Sequence, residues 1–169
     1  MPNWASCDLW ISGPKADRTA FLDGLKKEDG GKFSILISYY PCPKELSETM
    51  TGFIGGNTPE AKDLKKRETN NLKKYGVANW YDWCCIKWGS KWGDCRTEVV
   101  RNTSQIFIRF ESPWSPPTAG LVEVSKKFPK LTFNLKYYEC GMAYQGHWIC
   151  KNGEVSLDEN KAYSGSRGG

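Results

Sequence analysis

The stretch NWYDWCCIKWGSKW at residues 79–92 contains four of the eight tryptophans of this chain. Four side chains in it recur at three- and four-residue spacing, which places them on one face of a helix: Trp80, Trp83, Cys84 and Trp88. Asn79 has the side chain of a helix N-cap, and Gly89 suits the left-handed residue that ends a helix. The stretch therefore predicts a short helix that is attached to the rest of the protein by its indoles.

A helix of this length is unstable alone, so its apolar face must be buried against another element. Each large aromatic side chain brings roughly 150–250 Å² of surface to such a contact. We expect Trp80, Trp83 and Trp88 to be mostly buried. Tyr81 and Trp92 fall off that face, and we expect them at the surface, where only a partner would explain them.

Length and composition describe a folded protein of one domain. The 169 residues leave room for one sizeable core and an inserted subdomain. The hydrophobic content of 39% and charged content of 25% exclude a disordered chain. The net charge of +5 permits an acidic partner without requiring one.

The cysteines indicate a reducing compartment. Their number, seven, is odd, and no apolar signal segment precedes them, so we expect free thiols in the cytoplasm. No Cys-x-x-Cys pair occurs and His147 is the single histidine, so we expect neither a metal site nor a cofactor. No apolar run is long enough to span a bilayer, and we expect no membrane partner.

The first 92 residues predict a strand–helix–strand unit followed by helices. Apolar alternation indicates strands at 3–12 and 33–40, with a helix at 16–27 between them. A short helix at 44–50 and a glycine-rich loop at 51–58 follow. Thr58 and Pro59 then begin a helix that Gly76 ends. We interpret residues 41–92 as a helical insertion between sheet elements.

The remaining chain predicts a second half of the same sheet. Strands are expected at 96–100, 104–111, 131–138 and 143–151, and a helix at 118–128 precedes the third of them. Residues 156–169 lose the apolar pattern and are expected to be a flexible tail. Together these elements predict an α+β ferredoxin-like sandwich over residues 1–155, with an extra C-terminal hairpin and both core helices on one face. We expect the Trp-rich insertion to cover the other face.

Several motifs in the same order resemble the Api92-like proteins. The resemblance is carried by MPNW at residues 1–4 with ISGP at 11–14, the stretch at 79–92, WSPP at 114–117 and KKFP at 126–129, followed by YYE at 137–139. It implies a ferredoxin-like domain and an origin in phages or other mobile genetic elements such as conjugative plasmids. The resemblance brings no catalytic residue and no cofactor.

The chemistry of an enzyme is not found in the sequence. His147 lies in a predicted strand without a nucleophile in a recognisable motif, and the glycines at 52, 55 and 56 lack the lysine of a phosphate loop. The carboxylates of Asp82, Asp94 and Glu139 are not brought together by their spacing. We therefore assign no catalytic residue and expect a binding protein.

Two binding functions remain open, and they use different residues. The first is an inhibitor or modulator of a host protein, for example in defence against phages and with CRISPR systems as a candidate target. It would use Trp80, Tyr81, Asp82, Trp88, Lys91, Trp92, Trp114, Tyr138 and Glu139. The alternative is a nucleic-acid or nucleotide binder with stacked Trp and Tyr rings. Its phosphate contacts would come from Lys62, Lys65, Lys66, Arg67, Lys73 and Lys74.

Overall fold

A computed structural model describes residues 3–27, 33–52 and 56–165 of the chain. Six strands and six helices are found there: β1 (Trp4–Ser12), α1 (Lys15–Asp23), α2 (Ile35–Tyr39), α3 (Lys44–Ser47), α4 (Pro59–Tyr75), α5 (Trp80–Lys87), β2 (Cys95–Asn102), β3 (Ile106–Pro113), α6 (Thr118–Lys127), β4 (Thr132–Glu139), β5 (Tyr144–Lys151) and β6 (Glu154–Ala162). The described residues leave out 53–55 of the predicted loop, 166–169 of the predicted tail and the Asp29-Gly30-Gly31 segment.

The six strands form one antiparallel sheet in the order β2-β3-β1-β4-β5-β6. β1 lies between β3 and β4 in the middle of the sheet. Every second residue of it is fully or almost fully buried, namely Ala5, Cys7, Leu9 and Ile11. The order of β1, α1, β2, β3, α6 and β4 is that of a ferredoxin-like sandwich. The predicted fold class is confirmed, and β5 and β6 extend the sheet beyond that core.

The core lies between the sheet and one layer of helices. Phe21 of α1 contacts both Phe128, at the end of α6, and Phe133 of β4, with ring centroids 5.1 and 5.9 Å apart. Leu121 and Val124 of α6 are completely buried in the same cluster. The prediction that the two core helices share one face of the sheet is therefore correct.

The predicted strand at 33–40 is wrong, because residues Ile35–Tyr39 form α2. Asp94 explains the difference: its carboxylate accepts hydrogen bonds from the backbone N–H groups of Ile35 at 2.6 Å and Leu36 at 3.0 Å. These are donors that the first turn of a helix leaves unpaired. Ser34 is the local N-cap and accepts from the Ile37 amide at 3.1 Å, but two further amides of this turn depend on Asp94, about sixty positions away. The second strand of the core is β2, and the insertion extends over 24–94.

The insertion packs in the helical layer and not on the opposite face of the sheet. The indole N–H of Trp88 donates to the Tyr40 carbonyl at 2.8 Å, and the Trp88 carbonyl accepts from the Gly120 amide of α6 at 3.1 Å. Gly120 leaves room for the insertion against α6, because a Cβ added there would lie 2.7 Å from a methyl carbon of Leu36 in the insertion. The prediction that the insertion covers the other face is wrong, and we call that uncovered face the open face.

The chain after residue 155 continues in the sheet. β6 pairs with β5 along its length, so the predicted tail is wrong for residues 156–162. Both faces of β6 are largely exposed, with Leu157 only partly buried, and the apolar alternation that would have indicated a strand is missing. The predicted helices at 59–75 and 80–88 are present, capped by Thr58 and Asn79 as expected. No disulfide joins any of the seven cysteines.

Candidate functional site

Aromatic and cationic side chains meet at one corner of the sheet, beside the start of β1 and the end of β3. We call this group, Trp4, Trp80, Tyr81, Lys91, Trp92, Arg96 and Trp114, the aromatic corner. The Trp92 ring lies 6.1 Å from that of Trp4 and 6.3 Å from that of Trp114. The Trp80 and Tyr81 rings contact each other edge to face at 5.9 Å. The chain of contacts makes one continuous surface.

The loop after α5 holds Lys91 and Trp92 at this corner. Gly89 has a φ of +83°, which turns the chain out of the helix. Ser90 is buried, and its hydroxyl donates to the Pro113 carbonyl at 3.1 Å and accepts from the Ser112 hydroxyl at 2.8 Å. The Ser115 hydroxyl donates to the Gly89 carbonyl at 2.7 Å. These hydrogen bonds fix the loop to the end of β3, and the Lys91 and Trp92 side chains lie at the corner.

Trp114 adopts a backbone conformation that is unusual for a bulky residue. Its φ of +63° lies in the left-handed region, where a side chain other than glycine costs free energy. Three hydrogen bonds hold the segment: the Trp114 amide donates to the Asn3 carbonyl at 2.8 Å, the Ser115 amide to Pro113 at 2.8 Å, and the Tyr144 hydroxyl to the Trp114 carbonyl at 2.7 Å. An indole that is 42% exposed is therefore kept on a strained backbone.

Two cations, Lys91 and Arg96, lie over aromatic rings of the corner, and Arg96 also forms an ion pair. The Lys91 ammonium lies 4.5 Å from the centre of the Trp92 ring and 5.5 Å from that of Tyr81. The Arg96 guanidinium lies 4.8 Å from the Trp4 ring and forms an ion pair with Glu111. The charge of the neighbouring Cys85 raises the pKa of the Tyr81 phenol above its ordinary value. The ordinary pKa of a tyrosine already lies well above neutral pH, so the Tyr81 hydroxyl is protonated there and can donate a hydrogen bond.

Four residues predicted for the site lie elsewhere or serve the fold. Trp88 is buried in the core. The Asp82 carboxylate accepts from the Asn79 side-chain amide at 3.2 Å within the cap of α5. Glu139 is buried, and its carboxylate accepts from the Gly141 amide at 2.9 Å and from the Met142 amide, which closes the turn after β4. Tyr138 is exposed on the open face, where its ring stacks on Tyr163.

Sequence reasoning missed two residues of the corner, Trp4 and Arg96. The signal for Trp4 was present, because it alternates with Cys7, Leu9 and Ile11 and must face away from the core. Arg96 could not be found in this way, since β2 is irregular there and Arg96 has a φ of +55°. Trp4 is also far from the 79–92 stretch along the sequence, whereas Arg96 follows that stretch by four residues.

The basic residues of α4 divide into two groups. Arg67 pairs with Asp63 at 2.8 Å and Lys74 with Glu45 at 2.6 Å, and the Lys74 ammonium lowers the pKa of Glu45 to about 2. The remaining four share one exposed face of the helix, and none forms an ion pair within the described residues: Lys62, Lys65, Lys66 and Lys73. We call these four the lysine ridge. Asn71 is the buried residue of α4, so the helix lies on the surface.

The open face of the sheet has balanced charge. Two depressions there share Ser6, Asp8 and Tyr138 in their walls. Their walls hold four acidic and four basic side chains, namely Asp8, Glu98, Glu111 and Glu159 against Arg96, Arg109, Lys136 and Lys161. His147 lies in one depression, with its ring nitrogen 2.9 Å from the Asn134 side-chain oxygen. This face therefore offers a phosphate backbone no surplus of cations.

The described parts of the chain hold neither a cluster of metal ligands nor a helix suited to cross a membrane. Within residues 3–27, 33–52 and 56–165, the His, Cys, Asp and Glu side chains form no group of three or more that could hold a metal ion. In the same ranges no helix combines the length and the apolar composition that crossing a membrane requires.

The strand order and the helical layer place the protein in the class of ferredoxin-like α+β sandwiches, here with a long helical insertion. The family model described as the ferredoxin-like domain in Api92-like protein matches residues 87–164 of the chain. The matched segment contains β2 to β6 and α6. β1 precedes it in the sequence, although β1 lies in the middle of the sheet.

A solved structure supports the same fold over nearly the whole chain. The chain is similar to the crystal structure of the protein api92 from Yersinia pseudotuberculosis, with a TM-score of 0.53 and 12% identity. The superposition covers 98% of this chain and 99% of that one. Among curated proteins, none matches the chain. The resemblance inferred from the motifs is thus confirmed by the family model over residues 87–164 and, over nearly the whole chain, at the level of the fold.

Proposed function

We propose that this chain is a binding protein that docks on another protein through the aromatic corner. The observation that carries the proposal is the exposure of three adjoining aromatic side chains: Tyr81 is 42% exposed, Trp92 40% and Trp114 42%. Tyr and Trp are the residues that most often dominate the free energy of protein interfaces. A surface group of this size on a folded protein indicates an interaction site.

The backbone of Trp114 gives independent support. Glycine would adopt its left-handed conformation without strain, yet the chain has an exposed tryptophan there. Strain of this kind costs on the order of 1–3 kcal/mol and is found preferentially where a function requires the side chain. A contact with a partner is a requirement that would explain the indole.

The finer proposal concerns the identity of the partner. We propose a cytoplasmic protein of a bacterial host, with this chain acting as an inhibitor or modulator of a host system such as anti-phage defence, CRISPR systems included. The supporting argument is the Api92-like resemblance, which implies a phage or other mobile genetic element as the origin of the chain. The absence of an assigned catalytic residue fits a protein that acts by binding.

Comparative capture from a bacterial extract tests the proposal. The purified chain is immobilised, the extract is treated with nuclease, and retained proteins are identified by mass spectrometry. Trp92→Ala and Trp114→Gly serve as corner variants, and Ile86→Ala, at an exposed position of α5, serves as the matched control. We expect a set of proteins that wild type and Ile86→Ala retain and that both corner variants lose. Equal retention by all four would contradict the proposal.

A second candidate function rests on the lysine ridge, which favours a nucleic acid. The ridge has four ammonium groups on one face of α4 without ion pairs to described acidic residues. Phosphate contacts of this kind release counterions, so binding should weaken steeply as salt rises. The stacked rings of the aromatic corner would contact bases in this alternative.

The alternative is tested with a fluorescent single-stranded oligonucleotide at several salt concentrations. One variant changes the ridge to glutamine at Lys62, Lys65, Lys66 and Lys73. The control changes the same number of exposed lysines elsewhere, at Lys15, Lys26, Lys130 and Lys151, so that both have the same net charge. Binding that only the ridge variant loses would support a nucleic-acid function. Equal loss in both variants would reduce it to nonspecific attraction.

A further inference from the structure

The Lys91 side chain is enclosed by three aromatic rings of the corner. Its ammonium lies 4.5 Å from the centre of the Trp92 ring, 5.5 Å from Tyr81 and 6.0 Å from Trp80. The side chain is partly buried, and within the described residues no carboxylate forms an ion pair with it. The rings stabilise the cation through their faces, but they do not neutralise its charge.

Arg96 provides an internal comparison at the same corner. Its guanidinium also lies over a tryptophan, but Glu111 of the neighbouring strand pairs with it. Among the described residues, a carboxylate thus pairs with Arg96, and none pairs with Lys91. Lys91 has the ammonium that remains available to an anion from outside.

We propose that the aromatic corner binds an acidic, apolar-flanked segment of its protein partner, with a partner carboxylate received by the Lys91 ammonium. This inference rests on the proposed protein-binding function. A charge-assisted hydrogen bond beside apolar rings is partly shielded from water, which strengthens it relative to an exposed ion pair. The exposed edges of Tyr81, Trp92 and Trp114 then bury the apolar residues that flank the carboxylate.

A protein carboxylate fits the corner better than the phosphates of a nucleic acid. A phosphate backbone presents a row of charges and needs several unpaired cations along its path. Among the described residues the corner offers one, because Glu111 pairs with Arg96 and the two depressions on the adjoining open face have equal numbers of acidic and basic side chains in their walls. A single anionic side chain within an apolar segment matches one cation within a group of rings.

Peptide binding tests this inference directly. The probes are arrayed twelve-residue peptides that combine Glu or Asp with Leu and Phe, each with a counterpart in which Gln and Asn replace the acids. We expect the wild-type chain to prefer acidic peptides, with about tenfold weaker binding of the amide counterparts. A twelve-nucleotide oligonucleotide is the competing probe. Equal binding of the acidic and the amide peptides overturns the inference. It is also overturned if the oligonucleotide displaces bound peptides and free acidic peptide does not.

Substitutions at Lys91 assign the effect to its ammonium. Lys91→Met retains an apolar stem without charge and should weaken acidic peptide binding about tenfold, whereas Lys91→Arg should restore most of it. Lys87→Met, at the exposed last residue of α5 and just before the loop that carries Lys91, is the control. In the extract experiment, proteins that Trp92→Ala loses but Lys91→Met keeps would overturn the acidic segment and leave the proposed function intact. Loss in both, with recovery in Lys91→Arg, supports the inference.

Discussion

Trp88 and Trp92 are four residues apart in the sequence, yet Trp88 is 5% exposed and Trp92 is 40% exposed. In a continuous helix this spacing would place both indoles on the same buried face. α5 ends at Lys87, and Gly89 turns the chain with a φ of +83°, so Trp92 leaves that face. One aromatic stretch is thereby divided between the core and a surface site.

The two tryptophans also differ in what their rings contact. The Trp83 and Trp88 rings meet edge to face at 5.5 Å inside the core, and the Trp88 indole N–H has a carbonyl partner. Trp92 contacts two other tryptophans and Lys91, all at the corner. Tryptophan density in a sequence therefore does not by itself separate buried residues from exposed ones. The backbone turn at Gly89 separates Trp88 from Trp92.

The largest expected effect is the loss of stability in Trp88→Ala. Removing a buried indole leaves a cavity next to Leu36 and Trp83 and costs about 3–5 kcal/mol of unfolding free energy. The Tyr40 carbonyl also loses its donor. Urea unfolding of the variant and of wild type measures the difference. A loss below about 1 kcal/mol would place Trp88 outside the core and remove the contrast with Trp92.

The second prediction concerns the way in which the buried Asp94 carboxyl makes the unfolding free energy depend on pH. Burial raises the pKa of this carboxyl from 3.8 to about 6, against the hydrogen bonds that favour its charged form. Because the folded-state pKa is the higher one, the stabilisation is present below about pH 4 and is lost as pH rises through about 6. One pKa unit corresponds to about 1.4 kcal/mol, so the total change is about 3 kcal/mol.

The measurement for Asp94 compares wild type with Asp94→Asn between pH 4 and 7. The asparagine variant does not titrate, so the stability of wild type relative to it should fall over this range as pH rises. Other carboxyl groups affect both proteins alike and cancel in the difference. Parallel pH profiles would mean that Asp94 has an ordinary pKa in the folded protein.

Asp94 also shows why part of the fold could not be predicted. The ferredoxin-like class, the helices at 59–75 and 80–88 and the strands β2 to β5 follow from periodicity and local caps. α2 was predicted as a strand, since its apolar residues fit either structure and two amides of its first turn are satisfied by Asp94 across the fold, beside the local cap Ser34. β6 lacked a signal as well, because pairing with β5 holds a strand whose side chains are mostly exposed.

The candidate site was predictable only where local geometry determines exposure. The exposure of Tyr81 and Trp92 follows from helix phase and from the glycine that ends α5. The burial of Glu139 depends on the turn that it closes, and the approach of Arg96 to Trp4 depends on an irregular strand. Protein binding at the corner is proposed from the chemistry of the side chains that meet there, since a fold by itself determines no function.

A smaller effect is expected at the residue that separates the two regions. Gly89→Ala places a side chain at a positive φ and should cost about 1–2 kcal/mol. Space is not the reason, because the new Cβ would lie 3.6 Å from Ala119 in ordinary contact. Gly89→Asn should cost less, since asparagine tolerates the left-handed conformation. Thermal unfolding of both variants checks this order, and equal losses would show that backbone strain is not the cause.

The smallest effect on stability is expected for Tyr81→Ala, together with a loss of binding. Tyr81 is 42% exposed, and its ring contacts Trp80 and Lys91 at the surface without filling the core. Its removal should change the unfolding free energy by less than about 1 kcal/mol, because no buried cavity forms. Binding of the partner should weaken by more than about 1–2 kcal/mol, since an exposed tyrosine in an interface contributes by being buried there. Unfolding curves and capture from the nuclease-treated extract are measured on the same preparation, with Ile86→Ala as the control. A variant that binds as wild type would place the contact surface away from the corner, and the lysine ridge would then be the next surface to test.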